Sequence, residues 1–187
     1  MRIISGYFKG KKILHPKDNQ TRPLRDIAKE SIFNIINHSK KFDISLTESL
    51  ILDMFSGVGS FGIECISRGA KHVTFVENYK GVLPILKKNL YNLKLKKNYN
   101  VINLDILKGL EFKNFKRSFN LIFLDPPYKQ KNLYKILANI SKEKILNKNG
   151  LIIIHRHKND KNDYPLNLKV LEEKEYGISK ILFATFE

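Results

Sequence analysis

ESLILDMFSGVGSFGIE, residues 48–64, decides how the rest of the chain is read. Residues 49–55, SLILDMF, are almost wholly apolar and short, the pattern of a strand buried on both faces. Residues 60–68, SFGIECISR, have the character of a helix, and Gly57, Gly59 and Gly62 fall in the change from one to the other. Glycines at this spacing form a turn that lets backbone approach a ligand and opens a helix whose N-terminus favours negative or polar groups. Asp53 and Phe55 lead into the turn and join the glycines as candidate ligand-binding residues. On this stretch alone a nicotinamide cofactor and a ligand-free turn both remain open.

Outward from the turn the same alternation continues. HVTFVE at 72–77 is strand-like, and a helical segment runs from about Pro84 through ILKKNLYNLK. YNVIN at 99–103, FNLIFLD at 119–125 and GLIIIH at 150–155 are further short apolar runs. Such alternation predicts an α/β fold with crossover units and a mostly parallel sheet covered on both faces. The end differs: LNLKVLEEKEY, Gly177 and ISKILFATFE predict two strands joined by a tight turn, an antiparallel hairpin closing the sheet. Before residue 48 the style changes again. Residues 1–47 read as a basic arm followed by a helix, in which Ile27, Ser31 and Ile35, with Ile32, Phe33 and Ile36, have helical spacing. The expected division is arm and helix at 1–47 and catalytic core at 48–187, within one compact domain.

Composition narrows the function classes. Of 187 residues 42% are hydrophobic and 28% charged, ordinary for a globular protein, and the longest apolar runs fall far short of the roughly 18 residues that span a bilayer. The start, MRIISGYFKGKKIL, is basic and broken by glycines, unlike an export signal. A single cysteine, Cys65, forms no internal disulfide and suits the reducing cytoplasm; within the helix after the turn it reads as a small core residue. His72, His155 and His157 have no carboxylate or cysteine at ligand spacing, so no metal site is expected. The net charge of +16 is the strongest compositional signal and points to a polyanion, with nucleic acid first. Arg2, Lys9, Lys11, Lys12, Arg22 and Arg25 in the N-terminal segment are the candidate RNA contacts.

Two acids extend the glycine turn into a site. Glu77 ends the strand after the turn, where a carboxylate can accept ribose hydroxyl hydrogens, and Asp105 follows the next strand-like run, where it can receive an adenine amino group. LIFLDPPYKQ, residues 121–130, then settles the type of chemistry. Asp125 is held extended by the proline after it, while Pro126 and Pro127 fix their own torsions and offer no amide hydrogens. The tip therefore presents acceptors only, the Asp125 carboxylate and the Pro126 carbonyl, with the Tyr128 ring beside them. The exocyclic amino group of a nucleobase is a poor nucleophile because its lone pair is delocalised. Two fixed acceptors, each holding one amino hydrogen, favour a pyramidal nitrogen free to attack, and Tyr128 offers a face for an extruded base.

Taken together, the glycine turn, Glu77, Asp105 and DPPY resemble the class I S-adenosylmethionine-dependent methyltransferases that modify exocyclic amines. MRIISGYFKGKKI followed by TRPLRDIAKESIFNII is similar to the N-terminal signature of the RsmD family, bacterial methyltransferases of a guanine amino group in small-subunit (16S) ribosomal RNA. The segment departs from that signature at Leu24, Arg25 and Ile27. The resemblance implies a Rossmann-like seven-stranded sheet with an antiparallel last strand, and a methyl-donor site at Gly57, Gly59, Gly62 and Glu77. It also implies catalysis at Asp125, Pro126, Pro127 and Tyr128. Its partner would be ribosomal RNA, free or in a small-subunit assembly particle, with no membrane and a monomeric enzyme. Two competitors are a DNA adenine-amino methyltransferase, which usually needs a target-recognition domain, and a nonenzymatic RNA-binding protein on the same scaffold.

Overall fold

The computed structural model describes residues 1–16, 24, 26–95, 97–106, 115, 118–127, 132–160 and 163–187. Its elements in order are α1 (Asp26–His38), β1 (Leu50–Met54), α2 (Ser60–Ser67), β2 (His72–Val76), α3 (Leu83–Asn92), β3 (Tyr99–Ile102), β4 (Phe119–Leu124), α4 (Leu133–Lys142), β5 (Leu146–His157), β6 (Leu168–Tyr176) and β7 (Ser179–Phe186). The seven strands form one sheet in the order β3-β2-β1-β4-β5-β7-β6. The first five of these neighbours are parallel, and β7 is antiparallel to both β5 and β6. The expected Rossmann-like class I methyltransferase fold is therefore present, and the predicted hairpin turns at Gly177, which has φ of 61°.

Strand alternation divides the core in two. Ile51, Val73, Phe75, Leu121, Phe123, Leu151 and Ile153 pack with α1, α2 and α3 on one face, and Leu52, Met54, Val76, Ile122, Leu124, Ile152 and Ile154 pack with α4 on the other. Phe61 stacks between Phe33 and Phe123, with ring centroids 5.2 and 3.9 Å away, which locks α1 and α2 onto β4. The sequence reading assigns no helix between Pro127 and the GLIIIH run. There α4 buries Leu133, Ile136, Leu137 and Ile140, the i, i+3, i+4, i+7 stripe of a core-facing helix.

In α1 one expected position is corrected. Ile27 is 74% exposed, and the buried stripe is Ala28, Lys29, Ile32, Phe33 and Ile36. A lysine thus occupies a core position that spacing alone gives to an apolar residue. Its ammonium is satisfied by the Arg2 carbonyl at 2.9 Å, Ser60 Oγ at 3.3 Å and Asp26 at 3.5 Å, so Lys29 ties the arm to the starts of α1 and α2.

The arm itself is a docked hairpin, with Arg2 bridged to Lys12 and the Ile3 amide donating to the Lys11 carbonyl at 3.0 Å. Glu64, fully buried, accepts the Ile4 and Ser5 amides at 2.8 and 2.9 Å and Arg68 Nε at 2.9 Å. At Gly6, with φ of 80°, a Cβ would lie 1.8 Å from the Ser67 carbonyl oxygen, so only glycine lets the arm approach α2 this closely. Ile3, Phe8 and Ile13 fill the same apolar cluster as the helices, while Arg2, Lys9, Lys11 and Lys12 stay exposed. Among the described residues no helix is long and apolar enough to cross a membrane.

Candidate active site

The polar residues singled out in the sequence collect along one edge of the sheet, at the carboxyl ends of the parallel strands. In sheet order the tips carry Asp105 after β3, Glu77 after β2, Asp53 to Gly57 on and after β1, and Asp125 to Pro127 after β4. The order reverses between β1 and β4, and the crevice at such a reversal is where open parallel sheets bind ligands. With strands about 4.8 Å apart, the tips of β2 and β4 stand roughly 10 Å from one another, a span suited to a nucleoside-sized ligand. Arg22, Arg25 and Tyr128 lie outside the described residues.

The three glycines of the turn have different tasks. A Cβ at Gly57, whose φ is 55°, would meet no heavy atom of the described residues within 4 Å. A Cβ at Gly59 would lie 2.4 Å from Leu86, and one at Gly62 would lie 2.3 Å from Phe75; these two let α2 pack against α3 and β2. Gly59 and Gly62 thus have a packing reason to be glycine, while the Cβ position of Gly57 is clear of the described side chains. Phe55, at φ of 61°, is held in a left-handed backbone that a side chain adopts at a cost of about 1–3 kcal/mol, a strain typical of functional turns. Its ring packs against the α4 face of the core.

Glu77 is buried beside this turn and accepts backbone amides: Gly57 on Oε2 at 2.7 Å, and Asn78 and Tyr79 on Oε1 at 2.9 and 2.8 Å. Its carboxylate is thereby fixed against the backbone of the turn at Gly57. Asp105 is half-buried beyond β3. This turn with an oriented carboxylate next to it fits the adenosyl portion of S-adenosylmethionine.

Asp53 lies beneath the turn it leads into. It is fully buried under the turn, where Oδ2 accepts the Gly62 amide at 2.9 Å and Oδ1 has no hydrogen-bond partner among the described residues. Its role is to pin the start of α2. Burial pushes its pKa up to about 8, opposed by the Gly62 amide and reinforced by the neighbouring charges of Asp125 and Glu77. Between its ordinary value of 3.8 and about 8 the folded chain holds a proton that the unfolded chain has released. Stability from this group is complete below pH 3.8 and is lost as pH rises towards 8. In Asp53→Asn, where the amide oxygen still accepts from Gly62, the fall in stability between pH 5 and pH 8 should shrink. Denaturant unfolding at both pH values measures it, and an undiminished fall would place the proton elsewhere.

At the tip of β4 the loop is held from β5. Leu124 pairs with Ile154, so the next residues, Asp125 and His155, come side by side, and His155 Nδ1 lies 2.8 Å from Asp125 Oδ1. Arg156, 2% exposed, points to the other face and donates Nη1 to the carbonyls of Pro126 at 3.3 Å and Pro127 at 3.1 Å; its Nη2 meets Asp160 at 2.8 Å. Neither residue is a candidate on sequence grounds. Their partners in the Asp125 to Pro127 tip lie some 30 positions away, and only the register of two parallel strands brings them together. The usable signal is a polar pair directly ending the apolar run GLIII, where a core strand has no need of one.

Residues 1–185 match the family described as Conserved hypothetical protein 95. YlbH of Bacillus subtilis is 34% identical over 183 residues, covering 97% of this chain and 96% of its own. Ribosomal RNA small subunit methyltransferase D of Haemophilus influenzae is 35% identical over 179 residues, covering 95% of this chain and 90% of its own. Among solved structures, yhhF of Escherichia coli superposes with a TM-score of 0.81 at 27% identity, across 100% of this chain and 98% of that one. The likeness runs from the first residue of the arm into the last strand, so it takes in the arm as well as the strand tips: the chain belongs to the Conserved hypothetical protein 95 family, the RsmD family of methyltransferases.

Proposed function

We propose that this enzyme methylates the exocyclic amino group of a guanine in small-subunit ribosomal RNA, with S-adenosylmethionine as donor. The observation that carries the reading is the Asp125 to Pro127 tip, pinned from β5 and placed one strand from the turn at Gly57. When bound, S-adenosylmethionine supplies an electrophilic methyl group on a sulfonium. Gly57 and Glu77 hold the adenosyl end, and Asp105 stands at the next tip for the adenine amino group. Asp125 and the Pro126 carbonyl each accept one hydrogen of the guanine amino group, which localises the nitrogen lone pair towards the methyl carbon. With the donor bound, its methyl group would pass from sulfur to the amino nitrogen, and Asp125 or water would take the proton that nitrogen then loses. Tyr128 belongs to this proposal as the stacking face for the base.

Incubating the protein and labelled donor with 16S RNA and with small-subunit particles, both from cells lacking the gene, and with unmethylated DNA tests the reading. Label on a guanine amino group supports it, and label on DNA adenine alone would replace it. The two RNA substrates also show whether free RNA or an assembly particle is used. The same reading makes the enzyme a cytoplasmic monomer, which sizing of the purified protein checks for the second part.

For RNA, the proposed contacts are Arg2, Lys9, Lys11 and Lys12, which stand on a rigid hairpin already docked on α2, together with Arg22 and Arg25. Lysines held this way can meet phosphates without ordering the arm first, and each contact releases counterions. Replacing Lys9, Lys11 and Lys12 by Ala should weaken RNA binding and lower the log–log salt slope by about 0.7 for each phosphate no longer neutralised, with donor affinity unchanged. Unchanged RNA affinity and slope would move the RNA surface to α3, where Lys87 and Lys88 are exposed and Lys94 follows.

A further inference from the structure

We propose that His155 is a positioning residue of methyl transfer, holding the Asp125 carboxylate so that Oδ2 stays turned to the amino group of the target base. The inference rests on the assignment of Asp125 as an amino-group acceptor and adds a residue to that site.

The geometry is specific. A carboxylate can only accept, so at 2.8 Å it is Nδ1 of His155 that carries the proton and donates to Asp125 Oδ1. One oxygen is thereby committed inward and the other is left for the substrate. The imidazole is 6% exposed and ends a run of Leu151, Ile152, Ile153 and Ile154, all buried, where an apolar side chain would pack at no polar cost. Its Nδ1 is explained by the carboxylate it holds.

The two prolines after Asp125 already lack freedom. Pro126 and Pro127 fix their own φ, Pro126 keeps Asp125 extended, and Arg156 grips both proline carbonyls from the other face of the sheet. What remains loose is rotation of the Asp125 side chain, which is 21% exposed and so not fixed by packing alone. His155 removes that last rotation. An acceptor has to sit within a fraction of an ångström of its place to bias the nitrogen lone pair, and misplacement by about 1 Å is enough to cost roughly a hundredfold in rate.

His155→Leu fills the space without a donor, and His155→Asn restores one, since its Nδ2 is attached to Cγ as Nδ1 is in histidine. With labelled donor and 16S RNA, His155→Leu should lower kcat by about tenfold to a hundredfold, while RNA KM and donor Kd stay within about twofold of wild type. His155→Asn should recover most of that loss. In an Asp125→Ala background His155→Leu should cost nothing further, because the carboxylate it positions is gone. Thermal unfolding confirms that each variant is folded; if His155→Leu is not, His155→Ala takes its place and is read in the same way.

Wild-type kcat in the donor-free variant would overturn the inference, as would equal losses in the Leu and Asn variants or a loss confined to donor affinity. Activity of Asp125→Ala at the wild-type level removes the underlying assignment as well. An inactive Asp125→Ala beside fully active His155 variants removes the positioning role alone.

Discussion

Asp125→Ala should lower turnover at least about a hundredfold, or roughly 2.7 kcal/mol of transition-state stabilisation, while donor affinity hardly changes. The separation follows from position. Asp125 ends β4, whereas the proposed donor contacts lie at Gly57 and Glu77 after β1 and β2. Loss of the carboxylate removes an acceptor that matters only as the amino nitrogen pyramidalises, so kcat and kcat/KM should fall together. A side effect is expected too: His155 Nδ1 loses its partner in a buried place, at a cost of about 1–3 kcal/mol in folding stability. Melting curves recorded beside the kinetics separate the two effects. Calorimetry with S-adenosylmethionine and single-turnover transfer to 16S RNA are the decisive pair of measurements. Full turnover in this variant would eliminate the acceptor mechanism altogether.

Much of the arrangement was legible because it is written in local patterns. Short apolar runs alternating with amphipathic segments mark a doubly covered parallel sheet, and chemistry in such sheets gathers at strand tips, so Glu77, Asp105 and Asp125 follow from the strand ends alone. The hairpin at Gly177 is equally local. What escaped depends on contacts distant in sequence. His155 and Arg156 acquire their partners through the pairing of β4 with β5, which no spacing rule encodes. The packing task of Gly59 and Gly62 shows only once Leu86 and Phe75 are placed against them. Lys29 breaks the apolar stripe of α1 because the arm carbonyl and Ser60 meet it inside, and the exposed Ile27 disguises the true phase of the helix. The close approach of Gly6 to α2, where a Cβ would lie 1.8 Å from the Ser67 carbonyl oxygen, is likewise invisible in the sequence.

Glu77→Ala should weaken S-adenosylmethionine binding by about 1.5–3 kcal/mol, the worth of hydrogen bonds to a charged acceptor, or roughly tenfold to a hundredfold in Kd. The structure adds a condition to that expectation. A carboxylate has about four acceptor sites, and three are taken by the amides of Gly57, Asn78 and Tyr79. Accepting both ribose hydroxyls therefore requires exchange of at least one amide. Gly57 is the one positioned to yield, since its Cβ position is clear of the described side chains and it is held by Oε2 alone. The variant thus loses the ribose acceptor and also frees the turn that should cradle the ligand, so its own melting temperature should drop. Because a ligand that binds only the folded state stabilises it by about 2.7 kcal/mol at a hundredfold excess over Kd, the donor-induced rise in melting temperature should be large in the wild type. At the same donor concentration that rise should be much reduced in Glu77→Ala. Unchanged affinity by titration would mean that the donor lies elsewhere along the edge. Displacement of the donor by micromolar NAD would return the glycine turn to the dinucleotide-binding reading that the sequence of the turn leaves open.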